Sequence, residues 1–259
     1  MRTNDPASKT NDDLSLERST GYARARVGLI IPSSNRLTEP QFRAYMPVDI
    51  AVHVTRLQMT GRHSKPVEVL AQDVAGAASA LADAKCDVIV FHCTGNAMEN
   101  GPEGERLLLE AIRSRSDAVA ISTAQAIIQA LRASAVRRLV LVSPYHQSIN
   151  DHEKDYLAAF GIETIHDVAL DAPVSDGFIA VPPNRWREVV HDNARADADG
   201  YFLSCTNTTQ IDVVPILEEE LRKPVVSSNQ ATIWAFLHAL SGKLGGMRRV
   251  EALGSLAGR

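Results

Sequence analysis

Three short stretches of this chain occur twice, in the same order, and that repetition constrains the fold more than any single motif. Arg26-Val27-Gly28-Leu29-Ile30-Ile31-Pro32 is echoed by Arg138-Leu139-Val140-Leu141-Val142-Ser143-Pro144. Asp87-Val88-Ile89-Val90-Phe91-His92-Cys93-Thr94-Gly95-Asn96 is echoed by Gly200-Tyr201-Phe202-Leu203-Ser204-Cys205-Thr206-Asn207. Val119-Ala120-Ile121-Ser122-Thr123-Ala124-Gln125-Ala126 is echoed by Val225-Val226-Ser227-Ser228-Asn229-Gln230-Ala231. Each begins as an apolar run of strand length and stops at small polar residues, as a parallel strand covered on both faces does. The pattern predicts an α/β fold of two pseudo-symmetric, Rossmann-like lobes, each a parallel sheet flanked by helices, over residues 26–134 and 135–240. Residues 1–25 are polar and aperiodic and are expected to form a flexible N-terminal tail, with residues 241–259 a C-terminal segment that crosses back to the first lobe.

Between these strands, Val52 to Leu57 alternates and predicts a second strand nearer an edge. Val69, Leu70, Val74, Ala77, Ala78 and Leu81 recur at three and four, predicting a helix from Pro66 to Ala84. Further helices are expected from about Glu103 to Arg113 and from Ala124 onward.

With 259 residues, the chain has ample length for a buried core, and its 45% hydrophobic and 22% charged content suits a globular protein. A net charge of -4 with scattered Lys and Arg argues against nucleic acid as a partner. No apolar run approaches the roughly 18 residues of a membrane span, and no secretory signal layout is present, so a cytoplasmic location and no membrane partner are expected. Three cysteines make an odd count for a disulfide framework and suit reduced thiols.

Ligands of open parallel sheets bind beyond the carboxyl ends of the strands, where Cys93 and Cys205 both fall. Each is followed by Thr and another small residue, so turning backbone N–H groups and a helix start are expected to lower the thiol pKa. Two thiols facing each other across an inter-lobe cleft make a proton donor and acceptor pair that needs no metal and no organic cofactor. Cys86, at the far end of its strand, reads as structural. Pro32-Ser33-Ser34-Asn35 reads either as a plain turn or as a carboxylate cradle, and Tyr145 either as a buried phenol or as a donor to the same anion. Thr94-Gly95-Asn96 and Thr206-Asn207 complete the candidate substrate-binding set. His92 reads as a packed histidine beside the site, and His152 as solvated surface. Motifs for nucleotides, zinc proteases and serine hydrolases are absent from the sequence.

The residues quoted resemble the aspartate/glutamate racemase superfamily, in its branch of maleate cis-trans isomerase and arylmalonate decarboxylase. Val27 to Asn35 looks like the start of the isomerases, while Ile121 to Ala124, Val136-Arg137-Arg138 and Pro224 to Ser228 with Trp234 look like the decarboxylases. The resemblance implies two lobes with the active site between them, no cofactor, and a homo-oligomer, commonly a dimer. It also implies Cys93 and Cys205 as the catalytic pair, Asn35 and Tyr145 as substrate-binding positions, and Thr94 with Gly95 as a carboxylate site. The decarboxylases keep only the second cysteine, so Cys93 points to two-base chemistry.

The expected activity is that of a cofactor-independent isomerase or racemase acting on a small mono- or dicarboxylic acid. An arylmalonate-type decarboxylase using Cys205 as proton donor is the alternative enzyme. A non-catalytic small-carboxylate-binding protein is the alternative without chemistry.

Overall fold

The computed structural model describes residues 23–174 and 176–259, and in it the repeated apolar runs become two four-stranded parallel sheets with matching strand orders. The first contains β1 (Ala25–Pro32), β2 (Ile50–Leu57), β3 (Val88–Phe91) and β4 (Val119–Ser122), ordered β2-β1-β3-β4. In the second, β5 (Arg138–Ser143), β6 (Glu163–Ala169), β7 (Gly200–Leu203) and β8 (Val225–Ser227) are ordered β6-β5-β7-β8. Every strand pair is parallel. The α/β class and the two like halves expected from the repeats are therefore present, and β2 is an edge strand as its alternation predicts.

The two halves share local devices as well as strand order. Asp87 accepts the N–H of Arg26 at 2.9 Å, and Asp199 accepts those of Arg137 and Arg138 at 3.0 and 2.8 Å. In both halves an aspartate just before the third strand thus latches the start of the first. Ser122 and Ser227 each end a fourth strand and cap the helix that follows, accepting from Gln125 N and Gln230 N. Such caps satisfy orphan N–H groups at the helix start and stabilise by about 1 kcal/mol each.

The helices of the first half are α1 (Thr38–Tyr45), α2 (Val67–Asp83), α3 (Thr94–Met98), α4 (Gly101–Arg113) and α5 (Thr123–Ala133). The second half supplies α6 (Gln147–Ala159), α7 (Asp176–Ala180), α8 (Pro183–Asp192), α9 (Val214–Leu221) and α10 (Ser228–Leu244). α10 is buried on every side from Ser228 to Leu237, with Ser228, Asn229, Gln230 and Thr232 buried along with its apolar residues. It lies against α5, α1, β1 and β8, so the crossing back to the first half begins at Ser228 rather than at residue 241. The final 3-10 stretch, Glu251–Gly258, buries Leu253 and Leu256 against α9 and α10. Of the expected tail, residues 1–22 lie outside the described residues, and β1 begins at Ala25. Among the described residues no helix is long and apolar enough to cross a membrane.

Candidate active site

The carboxyl ends of β1, β3, β5 and β7 deliver Pro32, Cys93, Tyr145 and Cys205 to one cavity of about 270 Å³. That volume is at the small end for ligand pockets and suits an acid of modest size. Of the residues singled out from sequence, Pro32, Ser34, Asn35, Cys93, Gly95, Asn96, Tyr145, Cys205, Thr206 and Asn207 line it. Ser33 and Thr94 do not. Ser33 is exposed, with its backbone N–H tied to Leu57 and its carbonyl to Arg56. Thr94 is fully buried and donates its hydroxyl to Ser228 Oγ at 2.9 Å.

Ser228 joins the two cysteine turns, because its Oγ also accepts the backbone N–H of Cys205 at 3.2 Å. Cys205 has φ of +107°, a left-handed conformation that costs a non-glycine residue on the order of 1–3 kcal/mol. Strain of this kind persists only where the surroundings over-determine the backbone. Here Asn35 donates to the carbonyl and hydroxyl of Thr206 at 3.3 and 3.2 Å, and the Thr38 hydroxyl donates to the same carbonyl at 3.1 Å. Asn229 also donates to it, at 3.1 Å. Asn207 accepts the N–H of Arg36 at 2.9 Å.

His92, beside Cys93, is fully buried between Thr123 at 2.7 Å and the Asn229 side-chain oxygen at 2.9 Å. Nε2 therefore donates and Nδ1 accepts, and burial pushes its pKa down to about 3. It is a neutral packing histidine, as expected, and ties the first cysteine turn to the second through Asn229.

Both site thiols are buried, and burial pushes each up to about 12, the reverse of the lowering expected from their turns. The local donors do act in the expected direction. Asn207 N–H reaches Cys205 Sγ at 3.3 Å and the Tyr145 hydroxyl also favours its thiolate, while the Asn96 N–H favours that of Cys93. Desolvation outweighs them. The Cys93 thiol donates to Asn96 Oδ1 at 3.1 Å. Cys205 lies in an apolar wall with Tyr145, Phe178 and Ile149, the two aromatic rings meeting edge to face at 5.4 Å.

The other wall is built by two segments away from the strand ends. Met59, Thr60, Gly61 and Ser64 come from the stretch after β2, Val174 from the segment leading into α7, and Phe178 from α7 itself. His152, read as surface, is exposed but lines the cavity along with Glu99. No Lys or Arg lines the cavity among the described residues. The arrangement offers neutral donors for a carboxylate and two thiols for proton transfer or addition to carbon. Cys86 lies at the other end of β3, against Gly28, consistent with a packing role. Among the described residues, no group of His, Cys, Asp and Glu is arranged to hold a metal ion.

A family model described as arylmalonate decarboxylase matches residues 27–256. The chain is 25% identical over 232 residues to a maleate isomerase of Geobacillus stearothermophilus, covering 84% of this chain and 92% of that one. It is 29% identical over 231 residues to a maleate isomerase of Pseudomonas putida, covering 83% and 91%. The crystal structure of the maleate isomerase Iso from Pseudomonas putida superposes with a TM-score of 0.81 at 26% identity, covering 90% of this chain and 98% of that one.

Proposed function

The chain belongs to the arylmalonate decarboxylase family of enzymes, and from that premise we propose that it is a maleate isomerase-like, cofactor-independent isomerase or racemase of a small carboxylic acid. Cys93 and Cys205 are its catalytic pair. The observation that carries this reading is that the third strands of two matching sheets each lead to a cysteine lining the same cavity.

In the isomerase reaction, Cys93 thiolate forms an S–C bond to one alkene carbon of a bound unsaturated acid. Cys205 gives its thiol proton to the neighbouring carbon. The former double bond, now single, turns. Cys205 thiolate then removes a proton from that carbon, the double bond re-forms, and the S–C bond breaks to return Cys93 thiolate. No atom is gained or lost. Tyr145 and the Asn207 N–H hold the Cys205 thiolate while it exists, and Gly95, Asn96, Ser34 and the Thr206-Asn207 turn hold the carboxylate. In a racemase the same pair exchanges protons on opposite faces of a carbon next to the carboxylate.

A second reading is favoured by the apolar wall beside Cys205 and by its neutral thiol. There a malonate-type acid loses carbon dioxide and Cys205 protonates the resulting carbanion. Incubating the protein in deuterated water with candidate acids separates the two. Isomerisation or deuterium uptake without loss of carbon supports the isomerase or racemase, and carbon dioxide release supports the lyase. If no candidate acid is altered, neither reading stands for those substrates.

A further inference from the structure

Glu153 is a buried titratable side chain for which the proposed reaction has no use. It lies on the buried face of α6 and is fully inaccessible. A buried acid is ordinarily paired or fully hydrogen-bonded. Glu105, the other buried glutamate among the described residues, follows that rule, receiving Ser122 on one oxygen and the Tyr156 hydroxyl on the other. Glu153 does not. Its Oε1 accepts the Ser204 hydroxyl at 2.7 Å, and its Oε2 has no partner among the described residues.

Its place explains why this matters. Ser204 immediately precedes Cys205, so the one hydrogen bond to the Glu153 carboxyl among the described residues anchors the strained turn that presents that thiol. A charge on Glu153 acts on Cys205, on Cys93 and on Tyr145, and raises the pKa of all three. Among the described residues no cation on the elements packed against α6 acts on Glu153: on α4, Arg106 is paired with Glu103 and Glu110, and Arg113 is exposed. From β6 come His166, bonded to Asn193, and Asp167, bonded to Lys154, Gln147 and Asn150. From the first half come Cys93, Glu99 and Glu105, and from the ends of β5 and β7 come Tyr145 and Cys205. His152 on α6 itself lines the cavity mouth.

We propose that Glu153 is a positioning residue for the two thiols, working as an uncharged acid behind Cys205 through the Ser204 hydroxyl. The inference rests on the two-thiol reading of the site. While Glu153 is neutral, the buried site need hold only one negative charge of its own, the thiolate. Once Glu153 ionises, a thiolate is a second charge in the same low-dielectric volume, and the pair is switched off from the alkaline side. Burial pushes the Glu153 pKa up to about 8, which puts that change within reach of solution experiments.

The test is the alkylation rate of Cys93 and Cys205 by iodoacetamide, read by peptide mass spectrometry, in the full chain and in Glu153→Gln. Gln keeps an acceptor for Ser204 and cannot ionise. At about pH 6 the two proteins should react equally. At about pH 9.5 the variant should react about three- to ten-fold faster at one or both cysteines, the size of up to one unit in thiol pKa. Equal rates at both pH values, including no reaction in either protein, overturn the proposal. So does an equal acceleration at both, which would mean a loosened structure. An infrared titration of the unaltered protein covers the case in which the variant does not fold. A protonated-carboxyl band should disappear near pH 8, and a Glu153 already ionised at about pH 6 overturns the proposal. None of these readings uses a substrate, so failure of the proposed reaction on every acid tried would leave them distinguishable.

Discussion

Asn35, in the turn after the first strand, donates its side-chain amide to both the carbonyl and the hydroxyl of Thr206, 171 residues further along the chain. Its carbonyl oxygen meanwhile accepts the N–H groups of Leu37 and Thr38 at 3.1 and 3.0 Å. The side chain is thus spent on joining the two halves, although it lines the cavity. Asn35→Ala removes four bonds at a buried site and should cost about 2–4 kcal/mol, seen as a lowered denaturation midpoint. Its effect on turnover should appear chiefly as misplacement of the Thr206-Asn207 turn. Asn35→Asp, which keeps the acceptor, should be milder at the helix start and still lose the Thr206 bonds.

Ser228 holds Thr94 and the Cys205 N–H together. Ser228→Ala should lower turnover more than it lowers stability, because it releases the strained Cys205 turn while leaving the apolar core intact. Measuring kcat alongside the thermal midpoint checks this. A variant with full kcat would show that the φ of +107° at Cys205 needs no support from Ser228.

The buried His92 gives stability an acid limb. Its folded pKa of about 3 lies below the ordinary 6.5, so the unfolded chain binds the extra proton between those values. Its contribution is complete above about pH 6.5 and is lost as pH falls toward 3. His92→Gln should flatten that limb in denaturant titrations run at several pH values, while lowering the plateau through imperfect bonds to Thr123 and Asn229.

Glu153 gives stability the opposite slope. Its folded pKa of about 8 lies above the ordinary 4.5, so between these values the folded chain holds a proton that the unfolded chain has released. Unfolding free energy should therefore fall as pH rises from about 4.5 to about 8, by a few kcal/mol from this group. Glu153→Gln should remove that decline. A slope unchanged by the substitution would mean that the folded protein ionises Glu153 as readily as the unfolded one.

Much of this architecture was legible because it is local and repeated. Apolar runs such as Val88 to Phe91 and Gly200 to Leu203 announce their strands, and the small residues after them announce the turns that carry Cys93 and Cys205. The placement of Met59 and Phe178 in the cavity wall was not legible, since the segments that carry them are positioned by contacts distant in sequence. Glu153 was hidden in the polar run Asp151-His152-Glu153-Lys154, although its spacing of three from the buried Asn150 and Tyr156 was a usable signal. The thiol pKa direction was misread for a physical reason. Turn N–H groups near a sulfur are visible in sequence, whereas the desolvation that outweighs them depends on how completely the two halves close over the site.

Whether Cys93 and Cys205 work as a pair is decided by turnover of the same acid by Cys93→Gly and Cys205→Ala, each checked for native folding. The two-thiol account predicts that each substitution alone lowers kcat by at least about a thousand-fold, because neither the addition nor the proton return has a substitute. Retention of activity by Cys93→Gly with loss in Cys205→Ala would contradict it and leave Cys205 as a lone proton donor.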